Sequence, residues 1–115
     1  MRILDRMNKF YSDESKWCQH YFFKDSKNKP LTPENGHKAD KCCLLGCYFK
    51  ITKKIPYSLG IRPYPPTLKL LEKSCGMLIP IYNNCHSFKE VKEVINKAIK
   101  LRDENVPNNY KVNNA

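Results

Sequence analysis

Six cysteines and three histidines lie in a chain of 115 residues, and their spacing limits the chemistry they can do. Cys43 and Cys47 are four apart, so on a helix they share a face. Cys18 and His20 are two apart, so on an extended strand they share a face. Brought together, Cys18, His20, Cys43 and Cys47 would form a Cys3His set of the kind that holds structural zinc. No Cys-x-x-Cys pair is present, so the spacing is not that of a standard zinc knuckle. The competing role is packing, since unpaired cysteines are among the most buried residue types. A thiol nucleophile needs a pKa depressed by a helix N-terminus or a neighbouring cation. Cys85 precedes a helix that Ser87 would cap, with His86 beside it, but adjacent side chains point apart. Cys43 sits in an apolar run, where burial raises a thiol pKa. Asn83 could orient a histidine, as in Cys-His-Asn sites, or satisfy backbone groups at a turn. Glycine-rich phosphate and dinucleotide fingerprints are absent, because the four glycines do not cluster.

The charge suggests a different kind of work. Lys and Arg number 21 against 11 Asp and Glu, a formal net charge of +10. Between Lys38 and Lys73 eight basic residues face only Asp40 and Glu72. Lys50, Lys53, Lys54 and Arg62 interleave there with Tyr48, Phe49, Tyr57 and Tyr64. Basic groups contact phosphates and aromatic faces can stack bases. Lys50, Lys53, Lys54, Arg62, Tyr57 and Tyr64 are therefore the candidate binding set. No helix-turn-helix, zinc-finger or RNA-recognition signature accompanies them. An acidic protein would use the same patch by electrostatic complementarity. No apolar run approaches the roughly 18 residues that span a bilayer. The last helix mixes Glu90 and Glu93 among its lysines, which argues against a membrane surface. No cofactor is expected.

The elements that must hold these residues follow from periodicity. With 41% hydrophobic and 28% charged residues, the chain reads as one globular domain over 1–102 with a frayed polar tail over 103–115. Ile3, Leu4, Met7, Phe10 and Tyr11 form one face of a helix over about residues 2–12. The aromatic stretch 17–24 predicts an extended segment, and 25–30 predicts a turn. A second helix over about 37–50 is apolar nearly all round, so it should be the buried centre of the fold. Gly46 inside it costs on the order of 1 kcal/mol relative to Ala, a cost that close approach of another backbone would explain. Residues 53–66, with four prolines, read as a loop. A third helix over 68–75 stops at Gly76, and 77–82 reads as extended. Ser87 with Glu90 matches the capping box, opening a helix whose apolar stripe runs to about Arg102. The expected architecture is α+β: about four helices around a buried central helix, with short extended segments.

Three blocks carry a resemblance. Trp17-Cys18-Gln19-His20, with Lys24-Asp25 and Lys29-Pro30-Leu31, is similar to a W-[CT]-Q-G…R-D-x-x-G-R-P-V block. Ala39 to Cys47 resembles A-x-x-x-C-x-L-G-A. Ile79-Pro80-Ile81-Tyr82-Asn83-Asn84, with Ser87 and Val91, resembles I-P-x-W-N-D…T-x-x-x-V. Together these resemble an uncharacterised domain-of-unknown-function family of small bacterial and phage proteins. His20 and Asn28 stand where that family's blocks carry glycine, Cys47 where they carry alanine, and Asn84 where they carry aspartate. The resemblance implies a setting and no active site. The charged start of the chain predicts no export signal, hence a cytoplasmic protein with reduced thiols. The expected function is a small interaction protein of phage or mobile-element type that binds a larger protein or nucleoprotein through its basic loop. The alternatives are a thiol-dependent enzyme using Cys43 or Cys85, and a zinc-stabilised module.

Overall fold

Amphipathic periodicity places the first helix, α1, at Ile3–Phe10, where Leu4 and Met7 are buried. A 3-10 turn at Glu14–Lys16 follows, capped by the Asp13 side chain. The computed structural model describes residues 2–54 and 65–105. Strand β1, Phe23–Lys24, pairs antiparallel with β2, Lys41–Cys42, with Phe23 opposite Cys42 and Lys24 opposite Lys41. A 3-10 turn at Pro33–Lys38 separates the two strands. Then come α2 at Leu44–Thr52, α3 at Pro66–Cys75, α4 at Ile79–Cys85 and α5 at Phe88–Asn105. Helix α5 packs on α3 and α1, and α2 packs on α1 and α4. The described part is a mostly helical α+β domain, with five α-helices and a two-stranded sheet.

The expected buried centre is there, but it is shorter than periodicity suggests. Leu44, Leu45, Gly46, Cys47, Tyr48 and Phe49 are all buried in α2. Residues 37–43 are not part of that helix. Cys42 is held in the ladder opposite Phe23, and Cys43 is the extended N-cap, its sulfur accepting from the Gly46 N–H at 3.3 Å. The 17–24 segment forms a strand only at its end, since the Trp17 stretch makes one isolated parallel bridge to Cys42. The extended reading of 77–82 is overturned, because Ile79–Cys85 is helix α4. Pro80 lies in its first turn, where the missing N–H is harmless. The described residues thus hold five α-helices, one more than the four stretches whose periodicity reads as helical. Helix α3 starts at Pro66, two residues early, and Gly76 ends it at φ +74°. Helix α5 runs through Asp103, Glu104 and Asn105 instead of stopping at Arg102. The Arg102 guanidinium helps to hold that end, donating to Asp5 of α1 at 3.0 Å. The capping box forms as expected: the Glu90 N–H donates to Ser87 Oγ at 3.2 Å, and the Ser87 N–H to Glu90 Oε1 at 2.9 Å.

His20 and Asn28 have φ values of +73° and +68°. Both positions need left-handed backbone, which glycine adopts freely and other residues rarely do. Gly46 meets a constraint of another kind. The Phe22 carbonyl accepts the Cys43 N–H at 3.2 Å and fills the space that a side chain at 46 would occupy. Backbone, which cannot swing aside, is what meets α2 there.

Gly46→Ala should therefore destabilise the protein by about 1–3 kcal/mol through overpacking, although alanine is the better helix former. Urea midpoints of the two proteins check this. An unchanged or raised midpoint would refute the backbone contact.

Candidate functional site

The three blocks of the resemblance meet at one buried amide. Asn83 is fully buried on α4. Its Oδ1 accepts from the Trp17 indole N–H at 2.6 Å and from the Leu44 N–H at 2.9 Å. Its Nδ2 donates to the Cys18 carbonyl at 3.0 Å. Gln19 adds a clamp, its amide donating to the carbonyls of Asn83 and His86 at 3.1 Å each. The next residue, Asn84, accepts the His20 N–H at 2.7 Å. Every polar atom of the Asn83 side chain is used inside the fold, so it is not free to orient a histidine. The backbone-satisfying role is the one it fills.

The thiols lie round this junction, and burial governs them. Cys18, Cys42, Cys43 and Cys47 are buried, Cys75 is half-buried and Cys85 is exposed; all six are free. Cys43 sits at a helix N-terminus, which lowers a thiol pKa. Desolvation outweighs that effect and pushes Cys43 up to about 12. Burial raises Cys42 and Cys47 as well. The Cys43 nucleophile expected from the sequence is thus a neutral thiol near pH 7. Cys85 and His86 end α4 together but do not form a couple. His86 Nδ1 donates to the Tyr82 carbonyl at 2.9 Å, and its ring stacks on Tyr82 with centroids 3.7 Å apart.

The Cys3His set is not assembled. Cys18 donates to the Tyr21 carbonyl at 3.4 Å, and Cys43 is the α2 cap. Cys47 lies fully buried in the core, and His20 stands exposed on the surface. Among the described residues no three His, Cys, Asp or Glu side chains group as metal ligands. No described helix is long and apolar enough to cross a membrane.

The basic residues make a surface. Arg6, Lys9, Phe10 and Ile51 line an open groove of about 530 Å3 between α1 and α2. A second groove, of about 330 Å3, has Lys53, Lys54, His37 and Phe49 on its walls. Lys50 joins the two: its Nζ donates to the His37 carbonyl at 2.8 Å and stands 5.7 Å over the Phe10 ring. Among the described residues lining these grooves, Glu34 is the one carboxylate. Tyr48 and Phe49 are buried, so neither is free to stack on a base. The candidates Tyr57, Arg62 and Tyr64 lie outside the described residues. Arg6 and Lys9 were missed by the sequence reading because they belong to α1, about forty positions away. Comparison with protein-family models, with curated proteins and with solved structures gives no match.

Two outcomes test this description. Asn83→Ala leaves the Trp17 and Leu44 N–H groups and the Cys18 carbonyl buried without partners, at about 1–3 kcal/mol for each group left unsatisfied. The loss should read as a denaturation midpoint far below that of an exposed control such as Asn96→Ala. Thiol labelling with a disulfide reagent at pH 8 should modify Cys85 at once in the native protein. Cys18, Cys42, Cys43 and Cys47 should react only on unfolding. Fast native labelling of Cys43 would contradict its burial.

Proposed function

We propose that this protein is a cytoplasmic binding module, not a thiol enzyme, and that its basic band takes up the phosphate backbone of a nucleoprotein. The observation that carries this reading is the joining of two cation-lined grooves through Lys50. Arg6, Lys9, Lys50, Lys53 and Lys54 come from separate parts of the sequence to one band on α1 and α2. The aromatic rings beneath are covered or half-covered, so binding here is electrostatic and largely blind to sequence. Arg62 belongs to the same charge-rich stretch of sequence. A phage or mobile-element setting, as the block resemblance implies, fits a small basic protein of this kind. An acidic protein surface is the competing partner and is kept as an outcome of the test.

Lys53→Glu with Lys54→Glu should leave stability nearly intact, since both side chains are exposed. Affinity for a fluorescein-labelled DNA duplex about 20 base pairs long should fall sharply with rising salt, with a log–log slope near −0.9 per phosphate neutralised. The double variant should lower both the affinity and that slope, read by fluorescence anisotropy. Equal affinity of wild type and variant, or binding only to an acidic protein, would end the phosphate reading.

A further inference from the structure

The exposed large apolar side chains of the described residues are Tyr21, Phe22, Met77, Leu78 and Ile81, and they fall in two short segments. Tyr21 is 50% exposed and Ile81 52%. The two segments meet. Tyr21, Phe22 and Pro80 line one cleft of about 120 Å3, with Cys43, Asn84 and His20 on its other walls. The His20 N–H bond to Asn84 fixes the left-handed backbone at His20, just before the two rings. Exposed apolar side chains on two segments that border one cleft mark an interaction site.

The cleft is too small for a metabolite, whose sites run to roughly 300–1,000 Å3. It suits one protruding side chain. Cations stand beside it. Lys24 Nζ lies 4.9 Å from the Tyr21 ring centroid. In the ladder Lys24 is directly opposite Lys41, an arrangement of like charges that destabilises a sheet. Lys41 turns to Asn28 Oδ1 at 2.6 Å, and among the described residues neither lysine has an ion pair. Both line a groove of about 570 Å3 whose wall His20 is shared with the cleft; Glu14 also stands on that groove.

We propose that this face docks an acidic peptide segment of a partner protein. One apolar side chain of the segment fills the cleft between Tyr21, Phe22 and Pro80, and neighbouring carboxylates meet Lys24 and Lys41. Charge complementarity selects this occupant. A second copy of the chain would bring a further +10 against the same lysines. A nucleic acid could stack on Tyr21 and Phe22 but gains little from Met77, Leu78 and Ile81, which have no ring faces. A bilayer surface has no single protruding group to enter a cleft. The surface is separate in residues from the α1/α2 band, so either can fail without the other.

The test uses the full chain labelled with 15N and short synthetic peptides bearing one central leucine or phenylalanine between aspartates and glutamates. Two control sets carry lysine flanks or a central alanine. The acidic set should shift the amides of Tyr21, Phe22 and Asn84. Tyr21→Ala, which removes an exposed side chain that lines the cleft, and Lys24→Glu should each weaken binding on the order of tenfold. The Lys53→Glu, Lys54→Glu variant should bind the peptides as wild type does. The proposal is overturned if no peptide set binds, if alanine-centred or lysine-flanked peptides bind equally well, or if the shifts fall elsewhere. It is also overturned if this face answers only to anionic phospholipid vesicles, to the DNA duplex, or to rising concentration of the protein itself.

Discussion

The side-chain amide of Asn83 is the joint on which the other contacts depend. It is the only kind of group that can do this job without adding charge. Its oxygen takes two N–H donors, and its nitrogen gives one proton to a carbonyl. An aspartate could keep the first two contacts but would lose the donor and bury a charge. A leucine would fill the space and leave three polar groups dry. The Leu44 N–H is one of the orphan donors at the start of α2, and Asn83 Oδ1 satisfies it at 2.9 Å. Cys43 Sγ satisfies a second orphan, the Gly46 N–H. The N-terminus of the most buried helix is therefore capped by one side chain from next door and one from α4.

The second constraint follows from where that cap puts the chain. Cys42 and Cys43 must be extended to reach the ladder and the cap, which brings the Phe22 carbonyl onto the face of α2. Only a residue without a side chain can sit beneath it, and that residue is Gly46. The sheet is consequently two residues long on each strand. Its role is to fix one register between the 17–24 stretch and α2, more than to build a surface.

Helices with a clear apolar stripe, α1 and α5, were legible in the sequence, as was the capping box that starts α5. Gly46 was legible as a close approach, though not as an approach by Phe22. What misled was the run from Met77 to Tyr82. Its branched and aromatic residues look like a strand, and only the tertiary role of Ile79 and Asn83, four apart and both buried, makes it a helix. The 37–43 stretch was misread for the opposite reason. An apolar run carries no period when every face is buried, so nothing in it marked where strand gives way to helix. Asn83 was singled out by its type, while its partners Trp17, Leu44 and Cys18 are 39 to 66 residues away. The basic band was half legible: Lys50, Lys53 and Lys54 stood out as a local cluster, and Arg6 and Lys9 join them only through packing of α1 on α2.

The balance between burial and helix end decides the state of the Cys43 thiol. At Cys43 the two effects act on one sulfur, and desolvation is the larger. Burial likewise raises Cys42 and Cys47 in the same core, so the chain's cysteine content serves density more than reactivity. On the outside, the side chains of the described residues are distributed unevenly in two ways. Arg6, Lys9, Lys50, Lys53 and Lys54 concentrate positive charge on one side, where a carboxylate or phosphate gains from several cations at once. Tyr21, Phe22 and Pro80 bring apolar area to one cleft beside Asn83's own junction, where hydrogen bonds tie α4 to the 17–24 stretch. Rigid placement lowers the ordering cost that association must overcome. The buried amide that closes the core is, by the same bonds, what ties α4 to the Trp17–Cys18 stretch that leads into that cleft.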